Sequence, residues 1–324
     1  MSLSNWTEGE ETPQIFILRD IPGLGPAHSW LILPLGAMYL VSFVGNSTIL
    51  AAVRAGQGLC APMYLFLAML ALADLALSSS TLPSMLSIFL LRSGAVRAEA
   101  CFAQLFFIHT FSVAESAILL AMAFDRFVAI WNPLRYASVL TGSAIGKMGL
   151  AIVLRAVILH LPLPFMLRRL RYCGVKALSQ SYCVHPDVLK VACSDTRPNS
   201  AYGLFVLLST LGLDFVLILL SYGLILRTVL SIATWKERLK ALNTCVSHLC
   251  AVLLFYTPLL SLSMLHRFGK KRKASPQVYL LLSYLHFLLP PVLNPVIYSV
   301  KTKEIRRRVL GMLCRKGSGA RLRL

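Results

Sequence analysis

The sequence predicts an all-α membrane protein, a seven-transmembrane helix bundle with its N-terminus outside and its C-terminus inside. Composition is the first reason. Of the 324 residues 57% are apolar and only 14% charged, with a mean hydropathy of +0.71, more apolar surface than a soluble core of this size can bury. Length is the second: a helical span needs about 20 mostly apolar residues, and seven such stretches occur, near 29–53, 62–90, 99–131, 144–167, 200–230, 239–265 and 276–300. The third is the opening of the chain, where residues 1–28 carry Glu8, Glu10, Glu11 and Asp20 and lack the apolar core of a signal peptide, so the first span is expected to direct insertion. Three regions follow: an extracellular tail over 1–28, the bundle over 29–300, and an amphipathic juxtamembrane helix with a cytoplasmic tail over 301–324.

In the tail, Asn5-Trp6-Thr7 is a glycosylation sequon and favours an outside N-terminus. A second match, Asn46-Ser47-Thr48, lies within the first span, where the glycosylation machinery cannot reach it. Polar groups inside hydrocarbon are costly and mark functional candidates. The first span offers Asn46 after Gly45, the second Asp74, the third Glu115, the fourth Arg155 and the seventh Asn294. The third span runs into Asp125-Arg126, a charge pair that marks where the segment leaves the membrane. Pro290, Pro291 and Pro295 in the seventh span are kinks that neighbouring helices can accommodate. Beyond it, Ile305, Val309, Met312 and Leu313 fall at helical spacing opposite Arg306, Arg307 and Arg308, the pattern of a short helix lying at the membrane surface, with Cys314 beside it as a palmitoylation candidate.

The chain has 32 Lys and Arg against 13 Asp and Glu, a net charge of +19. Nucleic acid is excluded as a partner, because no basic run is interleaved with aromatic residues on a soluble domain; membrane lipid headgroups are the expected partner of this charge. The expected cytoplasmic side holds 17 of the 32 basic residues and the outer side 14, with Arg155 in the fourth span. Orientation therefore rests on the tail and the cysteines. The outer basic residues face seven acids, an excess that steers anions towards that face. His109, His160, His248 and His286 are scattered over depth, and no HExxH or GxSxG is present, so no enzyme, cofactor or structural metal is expected. Cys101 opens the third span, and Cys173, Cys183 and Cys193 lie ten apart before the fifth. Four cysteines on one face indicate an oxidising compartment and allow three pairings. Cys60, Cys245 and Cys250 lie in or at the inner ends of spans and are expected to be reduced.

Five motifs occur in order: PMYLFL over 62–67, MAFDRFVAIWNPLRY over 122–136, Ser221-Tyr222, KALNTCVSH over 240–248, and PVLNPVIY over 291–298. Together they resemble the odorant receptors, a branch of the rhodopsin-like G-protein-coupled receptors, over residues 15 to 313. Ile21-Pro22-Gly23-Leu24 and His266-Arg267-Phe268-Gly269 are similar to the class I, fish-like branch and its subfamily 51. The resemblance implies a multi-pass plasma-membrane receptor that binds a small volatile odorant, a carboxylic acid or another polar molecule, and activates the stimulatory olfactory G protein to raise cyclic AMP. It also implies disulfides Cys101–Cys183 and Cys173–Cys193, and coupling through Asp125, Arg126, Tyr222 and Tyr298. Asn46, Asp74, Glu115 and Asn294 would form a water network, with sodium a candidate at Asp74 and Glu115. The ligand is expected among spans three, five and six under the pinned loop. There His109 lies about 12 Å below Cys101 at 1.5 Å per residue, and Ser263 and Arg267 share one helix face above Tyr256 and Leu259. A guanidinium at Arg267 suits a carboxylate; the alternative is that it snorkels to headgroups, and that His109 only packs. Phe127 and Trp131 replace the usual Tyr and Cys of the third-span motif, and Pro186 stands where some class I members place a polar ligand contact. A transporter or channel would also use buried Asp74 and Glu115; no inverted repeat is visible in the sequence to favour it.

Overall fold

The computed structural model of the protein describes residues 15–19, 30–55, 61–173, 176–272, 276–301 and 304–308, with backbone alone at 266–272, 276 and 301. Seven helices among them are long and apolar enough to cross a membrane. The first three spans are α1 (Ile32–Arg54), α2 (Pro62–Phe89) and α3 (Ala98–Trp131). A short α4 (Tyr136–Val139) leads to the fourth span, α5 (Gly142–His160) continued by α6 (Pro162–Arg168). After the loop helix α7 (His185–Lys190), the fifth span is α8 (Arg197–Leu207), a π-helical turn (Leu208–Gly212) and α9 (Leu213–Ser231). The last two spans are α10 (Trp235–Arg272) and α11 (Pro276–Lys301). Each expected span is present, with ends shifted by a few residues; α10 is the largest difference, continuing helically beyond 265 at one end and starting four residues earlier at the other.

Local chemistry accounts for several ends. Pro62 opens α2 at a position where its missing N–H removes no helical bond. α3 stops at Asn132 (φ −142°, ψ 72°) because the ring of Pro133 disfavours helical backbone in the residue before it. The Thr141 side chain accepts from the Ala144 N–H at 3.2 Å and caps α5.

Many large apolar side chains face outward, for example Leu150 at 60% and Leu253 at 63% exposure. On a water-soluble protein these would form an aggregation surface; on a bundle they are the lipid-facing girdle. Lipid is as apolar as the bundle interior, so the helices associate through close packing and polar contacts rather than by water exclusion. Gly45 shows the first: a Cβ there would sit 2.9 Å from Pro295, so its absence lets α1 approach the kinked part of α11.

The buried apolar residues form two clusters. One gathers Phe66, Leu70, Leu119, Phe255, Tyr298 and Ile305 near the Asp125 end, and the other Phe16, Phe102, Leu105, Leu163, Tyr182 and Phe287 near the disulfide end. On α2 the change-over falls between Ala73 and Leu77, on either side of Asp74; on α11 it falls between Leu288 and Tyr298, around Asn294. A polar layer thus separates the two cores.

Residues 15–19, within the expected extracellular tail, are tied to the bundle. β1 (Ile15–Ile17) pairs antiparallel with β2 (Ala95–Arg97), and Ile17 also bridges Ala177 of the loop before α7. Phe16 is 0% exposed and packs edge-on against Tyr172 at 5.1 Å. Residues 304–308 are helical, with Ile305 buried in the lower core. The sequon at Asn5, Cys60, and residues 309–324 with Cys314 lie outside the described residues.

Candidate functional site

At the upper end the segment between α6 and α8 folds over the bundle as a roof. Cys101–Cys183 and Cys173–Cys193 are both bonded, with Cα–Cα distances of 5.3 and 5.8 Å. Cys245 and Cys250 are free. Gln104 braces the first disulfide: its side-chain amide donates to Ser80 O (2.9 Å) and Ser84 Oγ (2.7 Å) on α2, and its carbonyl oxygen accepts from the Cys183 N–H (3.1 Å). The buried Asp187 carboxylate accepts from the backbone N–H groups of Ser179 (2.6 Å) and Gln180 (3.0 Å) and from Lys190 Nζ (3.1 Å), which holds the loop against α7. Burial and the nearby His160 push the imidazole of His185 in this loop helix down to about 4, so it is neutral at pH 7.

Beneath the roof lies a cavity of about 440 Å³, within the roughly 300–1,000 Å³ range of small-molecule sites. Of the residues expected to touch ligand, His109, Leu259 and Ser263 line it. Tyr256 is not among the lining residues: it sits deeper, between the rings of Phe215 (4.9 Å) and Phe255 (5.0 Å), with its hydroxyl 2.7 Å from Ser116 Oγ. The side chain of Arg267 lies outside the described residues. The walls also include His160 on α5, Gln180 and His185 of the roof, and Ser283 and His286 on α11, so spans four and seven contribute beside three, five and six. His109 Nε2 accepts from the His185 N–H at 3.2 Å and its ring stacks on His160 at 6.1 Å. Gly203 of α8 makes this arrangement possible, since a Cβ there would fall 2.6 Å from the His185 ring. Pro186 also lines the cavity.

Below the cavity is a constellation that the sequence reading missed. The fully buried Asp214 takes Arg155 Nη2 at 2.5 Å and Ser116 Oγ at 2.9 Å on one carboxylate oxygen, and Ser116 passes on to Tyr256. Four spans meet there. The π-helical turn just before Asp214 inserts a residue and so rotates the following face by about 100°, carrying the acid inward. A basic residue mid-way along one span is a signal to look for an acid on another, and Arg155 carried that signal.

Three of the four residues expected in a polar network meet by hydrogen bonds. Asn294 Nδ2 donates to Asp74 at 3.1 and 3.3 Å and to Glu115 at 3.4 Å, whereas Asn46 donates to the backbone carbonyls of Pro291 at 2.9 Å and Ser42 at 3.0 Å. Glu115 Oε2 and Asn294 Oδ1 are buried with no hydrogen-bond partner among the described residues. Two carboxylates and an amide oxygen are hard donors of the kind a sodium ion takes, so the residues fit that ion. Among the described residues no three His, Cys, Asp or Glu side chains are grouped to hold a metal.

At the lower end Asp125 Oδ2 accepts from Arg126 Nε (2.9 Å) and Nη2 (2.5 Å), and Asp125 Oδ1 from the Tyr136 hydroxyl (2.6 Å). The Tyr222 hydroxyl meets His248 Nδ1 at 2.6 Å, while His248 Nε2 meets Leu119 O at 2.9 Å. Tyr298 is buried in the lower core. Phe127 and Trp131 stack at 5.5 Å along one face of α3.

The sequence model of a family described as olfactory receptor matches residues 35–316. The chain belongs to the olfactory receptor family. Among its relatives, human olfactory receptor 51G2 is 57% identical over 299 residues, covering 92% of this chain and 95% of that protein. Human olfactory receptor 51L1 is 53% identical over 95% of this chain and 97% of its own length, and mouse olfactory receptor 51E2 is 50% identical over 96% and 95%. This olfactory receptor is thus an odorant G-protein-coupled receptor of the plasma membrane with seven spans, not an enzyme; an odorant and a G protein are its partners.

Proposed function

We propose that the roofed cavity is the odorant site, that it takes a small polar or anionic volatile, and that occupancy raises cyclic AMP through a stimulatory G protein of the olfactory type. The observation that carries this reading is the roofed cavity itself, with apolar walls and a few convergent polar groups, at one end of the helix whose other end bears Arg126. On this reading the disulfide end faces outside, with Asn5 glycosylated in the tail, and the Arg126 end faces the cytoplasm. Binding would shift a pre-existing equilibrium towards a form in which Arg126 leaves Asp125 and meets the G protein, with Tyr222 and Tyr298 rearranging beside it. Asp74, Glu115 and Asn294 would hold a sodium ion that adds positive charge between two carboxylates when bound. Basic residues beyond the last span would rest on lipid headgroups.

The test is a surface-expressed receptor with a cyclic-AMP reporter, screened against volatile acids, alcohols and esters. If Arg267 is the counter-ion of a carboxylate, Arg267→Ala costs acids about 2–5 kcal/mol, roughly 30-fold or more in potency, and leaves esters of equal length within a few-fold. Arg267→Lys restores part of the loss, because an ammonium keeps the charge without the fork. Equal losses for acid and ester at unchanged surface level would assign Arg267 to structure instead.

A further inference from the structure

Four side chains lining the cavity carry a buried polar atom with no hydrogen-bond partner among the described residues: Gln180 Oε1, His185 Nε2, Ser283 Oγ and His286 Nδ1. The residues are 1%, 6%, 1% and 3% exposed. A buried polar group left unpaired has lost its water without replacement, and native interiors avoid this except where something else completes the group. Four such atoms around one cavity point to a ligand.

They sit on two sides of it. His185 lies against Gly203 of α8 and gives its N–H to His109 of α3, so its pole belongs to spans three, four and five. Gln180 and Ser283 are the chain neighbours of Ser181 and Tyr284, whose hydroxyls meet at 2.7 Å where the roof touches α11. α11 packs on α10, α1 and α2, whereas α8 packs on α6 and α7, which sets Ser283 of α11 apart from His185; Gln180 belongs to the roof between them, its N–H held by Asp187 of the loop helix at 3.0 Å. Val113, Leu259 and Phe287 line the cavity as apolar wall.

We propose that this receptor recognises a ligand with two polar groups joined by an apolar chain or ring, one at the His109–His185 pole and a hydroxyl at a second pole made by Gln180 and Ser283. The chemistry of each pole sets what it takes. His109 Nε2 accepts the His185 N–H, which leaves the ring proton on Nδ1 as a donor, and His160 Nδ1 lies 2.8 Å from the Ala156 carbonyl, which leaves its Nε2 as an acceptor. The first pole therefore suits any group that accepts, or both accepts and donates. At the second pole Gln180 Oε1 needs a donor and Ser283 Oγ can donate, a combination that a ligand hydroxyl satisfies at once and an ionised carboxylate, an acceptor only, does not. Ser283 and Gln180 are then specificity residues for the distal group of the odorant.

This inference rests on the cavity being the odorant site, and the experiment separates the two. Full-length receptor in lipid nanodiscs is titrated with matched series of five to ten carbons: alkanols against α,ω-diols, and alkanoic acids against ω-hydroxyalkanoic acids. At the best length the hydroxylated member is expected to bind about tenfold more tightly than its partner, equivalent to about 1.4 kcal/mol. Ser283→Ala and Gln180→Leu are each expected to reduce that preference to within about twofold, by weakening the hydroxylated members more than the monofunctional ones. Monofunctional compounds that bind with no gain from the second hydroxyl at any length would overturn the second pole and leave the odorant site standing. So would variants that weaken both series equally, which would make Ser283 and Gln180 structural. Binding by neither series would overturn both readings.

Discussion

Asp214 shares one carboxylate oxygen between Arg155 and Ser116, and its other oxygen has no partner among the described residues. The two members of the ion pair are unequally protected: Asp214 is wholly buried, while the Arg155 side chain is 30% exposed. That asymmetry sets the cost of breaking the pair. Arg155→Leu strands a buried carboxylate and is expected to destabilise by about 3–5 kcal/mol, the usual penalty for removing one partner of a buried pair. Asp214→Leu should cost less, because the freed guanidinium can lean along the lipid face towards headgroups. Replacing both by Leu should recover most of the loss. Thermal unfolding of the purified receptor reads all three variants; equal losses from the two single changes would mean that unequal burial does not set the cost, and no loss from either that the pair does not hold these spans together. Arg155 was visible in the sequence as an unpaired charge in a span, but its partner is 59 residues away and turned inward by one extra residue in a helix, which no count of apolar residues registers.

The roof over the cavity is built from pieces that depend on one another: β1, β2, the two disulfides, Asp187 and α7. Its weak point is acid. His185 has a folded pKa of about 4 against an ordinary value near 6.5, because burial and His160 disfavour the imidazolium. His109, His160 and Lys190 line the same cavity, and the Asp187 carboxylate is already engaged by Lys190 and two backbone N–H groups. The folded state binds fewer protons than the unfolded one, so the contribution of His185 is fully present above pH 6.5. It is lost as pH falls through that value towards 4, on the order of 3 kcal/mol at the acid end. Stability measured from pH 7 to pH 4 should therefore fall, and His185→Gln should flatten the decline; an unaltered slope would assign the acid sensitivity elsewhere. The loop cysteines were legible as a group, and family resemblance supplied their pairing. The three-residue β1 was not legible, because a segment that short has no periodicity and its stability comes from Phe16 packing on Phe102 and Tyr172.

The cavity lies under the roof, lined by residues of both apolar cores such as Phe287 and Leu259, and Asp125–Arg126 lies at the far end of the lower one. His109 and Arg126 stand on the same helix about 25 Å apart at 1.5 Å per residue, too far for the charge at one to define the chemistry of the other. Arg126→Ala should therefore leave odorant affinity within about twofold while abolishing the cyclic-AMP response. Undiminished output from equal surface protein would sink the coupling role of this end.

Spans, chain order, the polar positions and the paired charges at the end of α3 follow from the sequence by itself, since the cost of a polar group in hydrocarbon and the length needed to cross it are properties of single segments. His109, Ser263 and Leu259 were placed near the ligand by helical spacing and resemblance alone. The tertiary structure decided what spacing cannot reach: that Tyr256 turns to Ser116, that Asp214 closes on Arg155, and that Ser283 and Gln180 come to one cavity from a helix and a loop. Each depends on the angle at which one helix presents a face to another. A single inserted residue changes that angle by about 100°, and only the packing of all seven helices settles it.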